Sequence, residues 1–142
     1  MGEGGSWFIL LSQRIILAIF EHLTGHCVGQ VYVIFTIPES AASTLFLDGI
    51  CPKKYLAYVE WFTEFPDTLN NDTRSYKLHR EIQDQQQLAS VIPVYNICQS
   101  IHLYPQFGKT VPGEWTSDNV LEKCTVFYIN PFSDCLTYLS VF

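Results

Sequence analysis

The side chains able to do chemistry are few, and their spacing decides how far each can be taken. His22, His26 and Cys27 form the one cluster with metal-ligand character. Histidines four apart on a helix share a face and can share a zinc ion, with the following thiolate as a third ligand. Gly25 interrupts such a helix, and neither a Cys-x-x-Cys pair nor an acidic fourth ligand stands nearby. Polar residues at a helix end are the plainer account, so no metal site is assigned. Cys98 and His102 are also four apart, but a nucleophilic thiol needs its base within hydrogen-bond reach and an oxyanion donor beyond it. A step from a helical turn into a strand between them works against that geometry. The carboxylates of Glu60 and Glu64 could act as an acid and base, yet Glu60 sits among apolar strand residues and is expected to face solvent between buried neighbours. The Gly-rich start, Met1-Gly-Glu-Gly-Gly5, carries no Lys-Ser/Thr and precedes no strand, so it is no phosphate loop. No catalytic residue, cofactor or small-molecule substrate is expected, and the chain reads as a non-enzyme.

Binding chemistry has two candidate sets. Tyr55, Tyr58, Trp61, Phe62 and Phe65 could surround a methylated lysine or another cation. In a strand, Tyr55, Ala57, Val59 and Trp61 share one face and Leu56, Tyr58, Glu60 and Phe62 the other. One face must be core, so most of these rings are expected to be structural. The second set is basic: Lys53, Lys54, Arg74, Lys77 and Arg80. Against them stands a net charge of −6. Nucleic-acid binders carry a basic footprint, so direct DNA binding is disfavoured and a local patch is the alternative reading.

At 142 residues the chain is long enough for one domain with its own core. It is 48% hydrophobic and only 15% charged, which excludes disorder and suggests apolar surface left over for a partner. Its five cysteines are odd in number and scattered, the pattern of free thiols in a reducing compartment rather than a disulfide framework. An intracellular protein is expected, in the nucleus if its partner is chromatin.

The elements that must position these residues are mostly strands. Residues 7–20 are apolar nearly all round, but the run is shorter than the ~20 residues a bilayer-spanning helix needs, and Gln13 and Arg14 sit in its middle. It is read as a buried hydrophobic helix or strand, with the helix preferred, and residues 1–26 as an N-terminal extension to a domain spanning 27–142. Strands are expected at 28–37, stopped by Pro38, and at 55–63, the central strand. Further strands are expected at 75–82, with Tyr76, Leu78 and Ile82 inward, and at 88–94, 101–104, 124–129 and 136–142. The residues between contain a short helical turn near Ala41-Ala-Ser43, a polar hairpin loop at 83–87 and a helical turn at 95–100. A helix over 118–123 is expected to be capped by Thr116 or Ser117. The pattern predicts a mainly β, β-rich α+β domain: a small curved antiparallel sheet, or an SH3-like or bromo-adjacent-homology (BAH)-like barrel of about six strands.

Three stretches carry a resemblance: Leu56-Ala-Tyr-Val-Glu-Trp-Phe-Thr63, Ala89-Ser-Val-Ile-Pro-Val-Tyr-Asn-Ile-Cys-Gln-Ser-Ile-His-Leu-Tyr-Pro-Gln-Phe-Gly108, and Trp115-Thr-Ser-Asp-Asn-Val-Leu-Glu-Lys-Cys-Thr-Val-Phe-Tyr-Ile-Asn-Pro-Phe132. They resemble the C-terminal region of the large proteins of fungal Plavaka-type DNA transposons (related to Kyakuja, Dileera and Zisupton elements), a region that also occurs in stand-alone proteins. The likeness covers about residues 27–142. In such transposases it implies that DNA cutting belongs to an upstream RNase H-like domain with acidic metal ligands. Nothing in this chain resembles that domain, so the resemblance carries over no catalytic residue. It implies an accessory module of a transposon protein; the partner expected is a protein or chromatin, and the short hydrophobic run gives no role at a membrane.

Overall fold

Two strands of the apolar N-terminal region open the fold as a hairpin. β1 (Ile16–His22) and β2 (Gly25–Phe35) pair antiparallel from Ile16↔Val31 to His22↔Gly25. The computed structural model describes residues 16–22, 25–46 and 55–129. From Ile16 onward the expected N-terminal helix is a strand, because its apolar residues lie inside a sheet: β1 also pairs with β8 (Ile97–Ile101) on its other side. The expected boundary between residues 26 and 27 falls within β2. Residues 7–15 and the strand expected at 136–142 lie outside the described residues.

After β2, Pro38 ends the strand and a short helix follows, α1 (Glu39–Leu45). β3 (Leu56–Trp61) then pairs with β2, and β7 (Ala89–Pro93) pairs with β3. The five-stranded order is β7-β3-β2-β1-β8, so the middle strand is β2, and β3, expected as the central strand, lies next to the edge strand β7. A second sheet has the order β4-β10-β9, from β4 (Lys77–His79), β10 (Val126–Ile129) and β9 (Leu103–Pro105). A bridge between Phe62 and Arg80 links the end of β3 to the end of β4. After β4, β5 (Ile82–Gln83) and β6 (Gln86–Gln87) make a two-residue hairpin turning on Asp84 and Gln85, both at positive φ. Such a turn is of the I′ type, the one whose twist matches the strands. The expected polar hairpin loop is thus present. Ile82, expected inward, is 57% exposed, because only Leu78 and Tyr76 of that stretch reach the core.

The turn expected at 95–100 is a 3₁₀ turn at Val94–Asn96, and residues 97–101 are strand. That turn bends the five-stranded sheet. Pro93 is aligned through Leu56 with Phe35, and Ile97 through Phe20 with Cys27, so the ends it joins stand eight residues apart along β2. In a flat sheet those ends would lie about 30 Å apart, counting four strand spacings sideways and eight residues lengthwise. Four peptide links span at most ~15 Å. The sheet must coil strongly. No ladder joins β7 to β8 among the described residues, so it is a curled open sheet and not a closed barrel.

The coiled sheet has a core on each face. On one face Val31, Ala57 and Val59 are buried, with Cys27, Ile34, Trp61, Ile92, Val94 and Ile97 packed around them. On the other, Val28 and Phe62 join Leu78, Ile101, Cys124, Phe127 and Ile129, which ties the two sheets together. Phe127 is the largest fully buried side chain among the described residues, and its ring meets Phe62 edge to face at 5.6 Å. The last helix, α2 (Val120–Lys123), is shorter than expected and is not capped by Thr116 or Ser117; Asn119 precedes it, its side chain turned back to accept from the Thr116 amide.

Candidate functional site

One face of β3 carries in turn a buried ring, an ion pair and a half-buried tyrosine. Phe62 is buried in the inter-sheet core. Two residues back, Glu60 pairs with Arg80 at 3.2 Å, with only 20% and 13% of the two side chains exposed. The Arg80 guanidinium also donates to Gln30 Oε1 at 2.6 Å and to the Leu121 carbonyl of α2, and it lies 5.3 Å from the Phe62 ring centroid. Gln30 stands opposite Glu60 on β2 and is fully buried. A guanidinium suits this place because its planar fork serves several acceptors at once while its face stacks on a ring. Glu60 was expected to face solvent. The correction comes from the second sheet, which delivers Arg80 across β3 through the Phe62–Arg80 bridge.

Two residues further back the cover thins, before Leu56 on the same face is buried again. Tyr58 is half-buried, and its ring meets Tyr32 with centroids 6.2 Å apart and planes inclined at 64°. Tyr32 sits at a β-bulge: the register passes from Val31↔Val59 to Val33↔Tyr58 and leaves Tyr32 as the extra residue. Bulges re-aim side chains, and this one places a second aromatic ring beside Tyr58. Burial, followed by the Glu60 carboxylate at its hydroxyl, pushes the Tyr32 phenol up to about 12. Val91, opposite Tyr58 on β7, is 52% exposed.

The five expected ring residues do not form one cage. Phe62 is core, and Phe65 packs edge to face on Tyr76 against that core. Trp61 lies on the opposite face, donating from Nε1 to Ser90 Oγ at 2.8 Å. Tyr55 is 52% exposed at the start of β3, where its carbonyl accepts from the Val94 amide; Tyr95 beside it is 70% exposed. Tyr58 of the set stands beside an exposed aromatic partner, Tyr32, which was not singled out in the sequence. The bulge that brings it there has no sequence signature.

The basic set does not assemble either. Lys53 and Lys54 lie outside the described residues. Arg80 is held by Glu60, Gln30 and Leu121, and Arg74 is exposed in a turn at φ 50°. Lys77, three residues before Arg80 and so on the other face of the strand, lines an open groove of about 470 Å³ with Thr63, Glu64, Asn70 and His79. One lysine and one histidine facing a carboxylate make a mixed rather than a basic surface.

The metal and thiol candidates fare similarly. His22 and His26 lie on two strands of the β1–β2 hairpin rather than one helix face, in register with Gly25 and Glu21. Burial, with Cys98 and Glu64 adding to it, pushes the Cys27 thiol up to about 11, which keeps it protonated and a poor ligand at neutral pH. Among the described residues no group of three His, Cys, Asp or Glu could hold a metal ion. Cys98 is in β8 and His102 just beyond it, so four extended residues hold them about 13 Å apart. Among the described residues no helix is long and apolar enough to cross a membrane. No family model, curated protein or solved structure matches the chain.

Proposed function

We propose that this chain is a non-catalytic interaction module derived from a transposon protein, built as a partly open SH3-like or BAH-like barrel and working through a protein or chromatin partner. The observation that carries this reading is how the side chains are used. The groups with catalytic potential along β3 are held in the Glu60–Arg80–Gln30 cluster, while exposed rings and an apolar side chain stand on β2 (Tyr32), before β3 (Tyr55), on β7 (Val91) and in the turn after it (Tyr95). The topology supports the barrel part. Four antiparallel strands run β1-β2-β3-β7 in space, and after a 3₁₀ turn the chain returns as β8 to pair with the first of them. The three stretches that resemble Plavaka-type proteins support the origin, and an intracellular, chromatin-facing setting follows from it.

The test uses the full chain on an array of histone-tail peptides, beside a gel-shift series with duplex DNA at physiological salt. Retention of a subset of peptides, lost in Val91→Asp or Tyr95→Ala, is the expected result. Retardation of DNA with no peptide retained would favour the alternative, a transposase remnant contacting DNA through Lys53, Lys54, Arg74 and Lys77.

A further inference from the structure

The angle between Tyr32 and Tyr58 has the chemistry of a cation site. We propose that these two rings, with Glu60 beside them, receive the methylated ammonium group of a lysine side chain on the partner. The inference rests on the interaction-module reading and names the ligand class of its exposed face.

Four observations support it. The rings are inclined at 64° with centroids 6.2 Å apart, so one cation can lie within ~6 Å of both, the range in which a ring quadrupole attracts it. Both rings keep exposed surface; Tyr32 is 36% exposed, so a ligand can arrive from solvent. The Glu60 carboxylate accepts from the Tyr32 hydroxyl, which puts an anionic group at the edge of the pair. The ion pair is anchored on the buried side: Arg80 is fixed by Glu60, Gln30 and Leu121, so it holds the floor and does not swing out to fill the place of the ligand.

Methylation decides the match. An unmodified ammonium is compact and strongly hydrated, and a site with two open rings does not replace that hydration. Each methyl group lowers hydration and adds apolar contact, for which the exposed Val91 opposite Tyr58 offers a wall. Two rings at a partly exposed place give a modest preference, on the order of tenfold.

The experiment titrates the full chain with a short peptide whose single lysine carries none, one, two or three methyl groups. The expected result is affinity rising about tenfold from the unmodified to the trimethylated peptide. Tyr32→Phe and Tyr58→Phe, which keep the rings, retain that rise, and Tyr32→Leu and Tyr58→Leu abolish it at an unchanged melting temperature. If a Leu variant unfolds, displacement of the trimethylated peptide by tetramethylammonium, with shifts of the ring resonances of Tyr32 and Tyr58, decides in its place. Equal affinity for all four peptides would overturn the inference while leaving peptide binding, and so the module reading, intact. A methyl preference that survives both Leu variants would overturn it by placing the cation elsewhere. Binding to phosphatidylcholine vesicles without binding the trimethylated peptide would overturn the lysine assignment in favour of a choline headgroup.

Discussion

Arg80 shows what a single residue is asked to do here. It binds a carboxylate on β3, an amide on β2 and a carbonyl on α2, and it covers the Phe62 ring. Removing it leaves Glu60 and fully buried Gln30 without their partner. Breaking a buried pair costs roughly 3–5 kcal/mol; with 13% and 20% of the two side chains still exposed, Arg80→Ala is expected at the low end, about 3 kcal/mol by urea unfolding. Arg80→Lys keeps the charge but not the fork and should recover only part of this. Tyr32 makes a second prediction at this scale. Its phenol is raised from 10.0 to about 12, so the folded protein holds a proton that the unfolded chain releases near pH 10. The stabilisation is complete below pH 10 and is lost as pH rises towards 12. Tyr32→Phe should flatten that part of the stability profile, and thermal melts across the range would read it. An unchanged slope would mean that the Tyr32 phenol is neither buried nor held by Glu60 in solution.

At the scale of elements, sequence reading succeeded where local pattern decides. The strands at 28–35 and 56–61 and the hairpin loop at 83–87 were legible, because alternation and polar runs act over a few residues. It failed where tertiary contact decides. Residues 16–20 are apolar on every side, which suits a buried strand as well as a helix, and only their pairing with β2 and β8 settles it. Glu60 looked solvent-facing because its counter-ion comes from a strand twenty residues on. The β5–β6 turn offers an independent check. Gln85 at φ 65° pays the left-handed penalty that glycine avoids. Gln85→Gly is expected to raise stability by about 0.5–1 kcal/mol, seen as a higher denaturation midpoint at constant slope.

Across the whole molecule, the coiled sheet makes β1 indispensable. It lies between β2 and β8, so residues 27–142 alone would leave both without the strand that joins them. That fragment is expected to show no cooperative melting transition while the full chain shows one. The net charge of −6 and the internal use of Arg80 both argue for a protein partner over a phosphate backbone. The most direct test is a titration of the isotopically labelled full chain with the peptide best retained on the histone-tail array, followed by amide and ring shifts. The account predicts saturable changes centred on Tyr32, Tyr58, Val91 and Tyr95. Changes produced instead by duplex DNA, centred on Arg74 and Lys77 with the tyrosine face undisturbed, would contradict it.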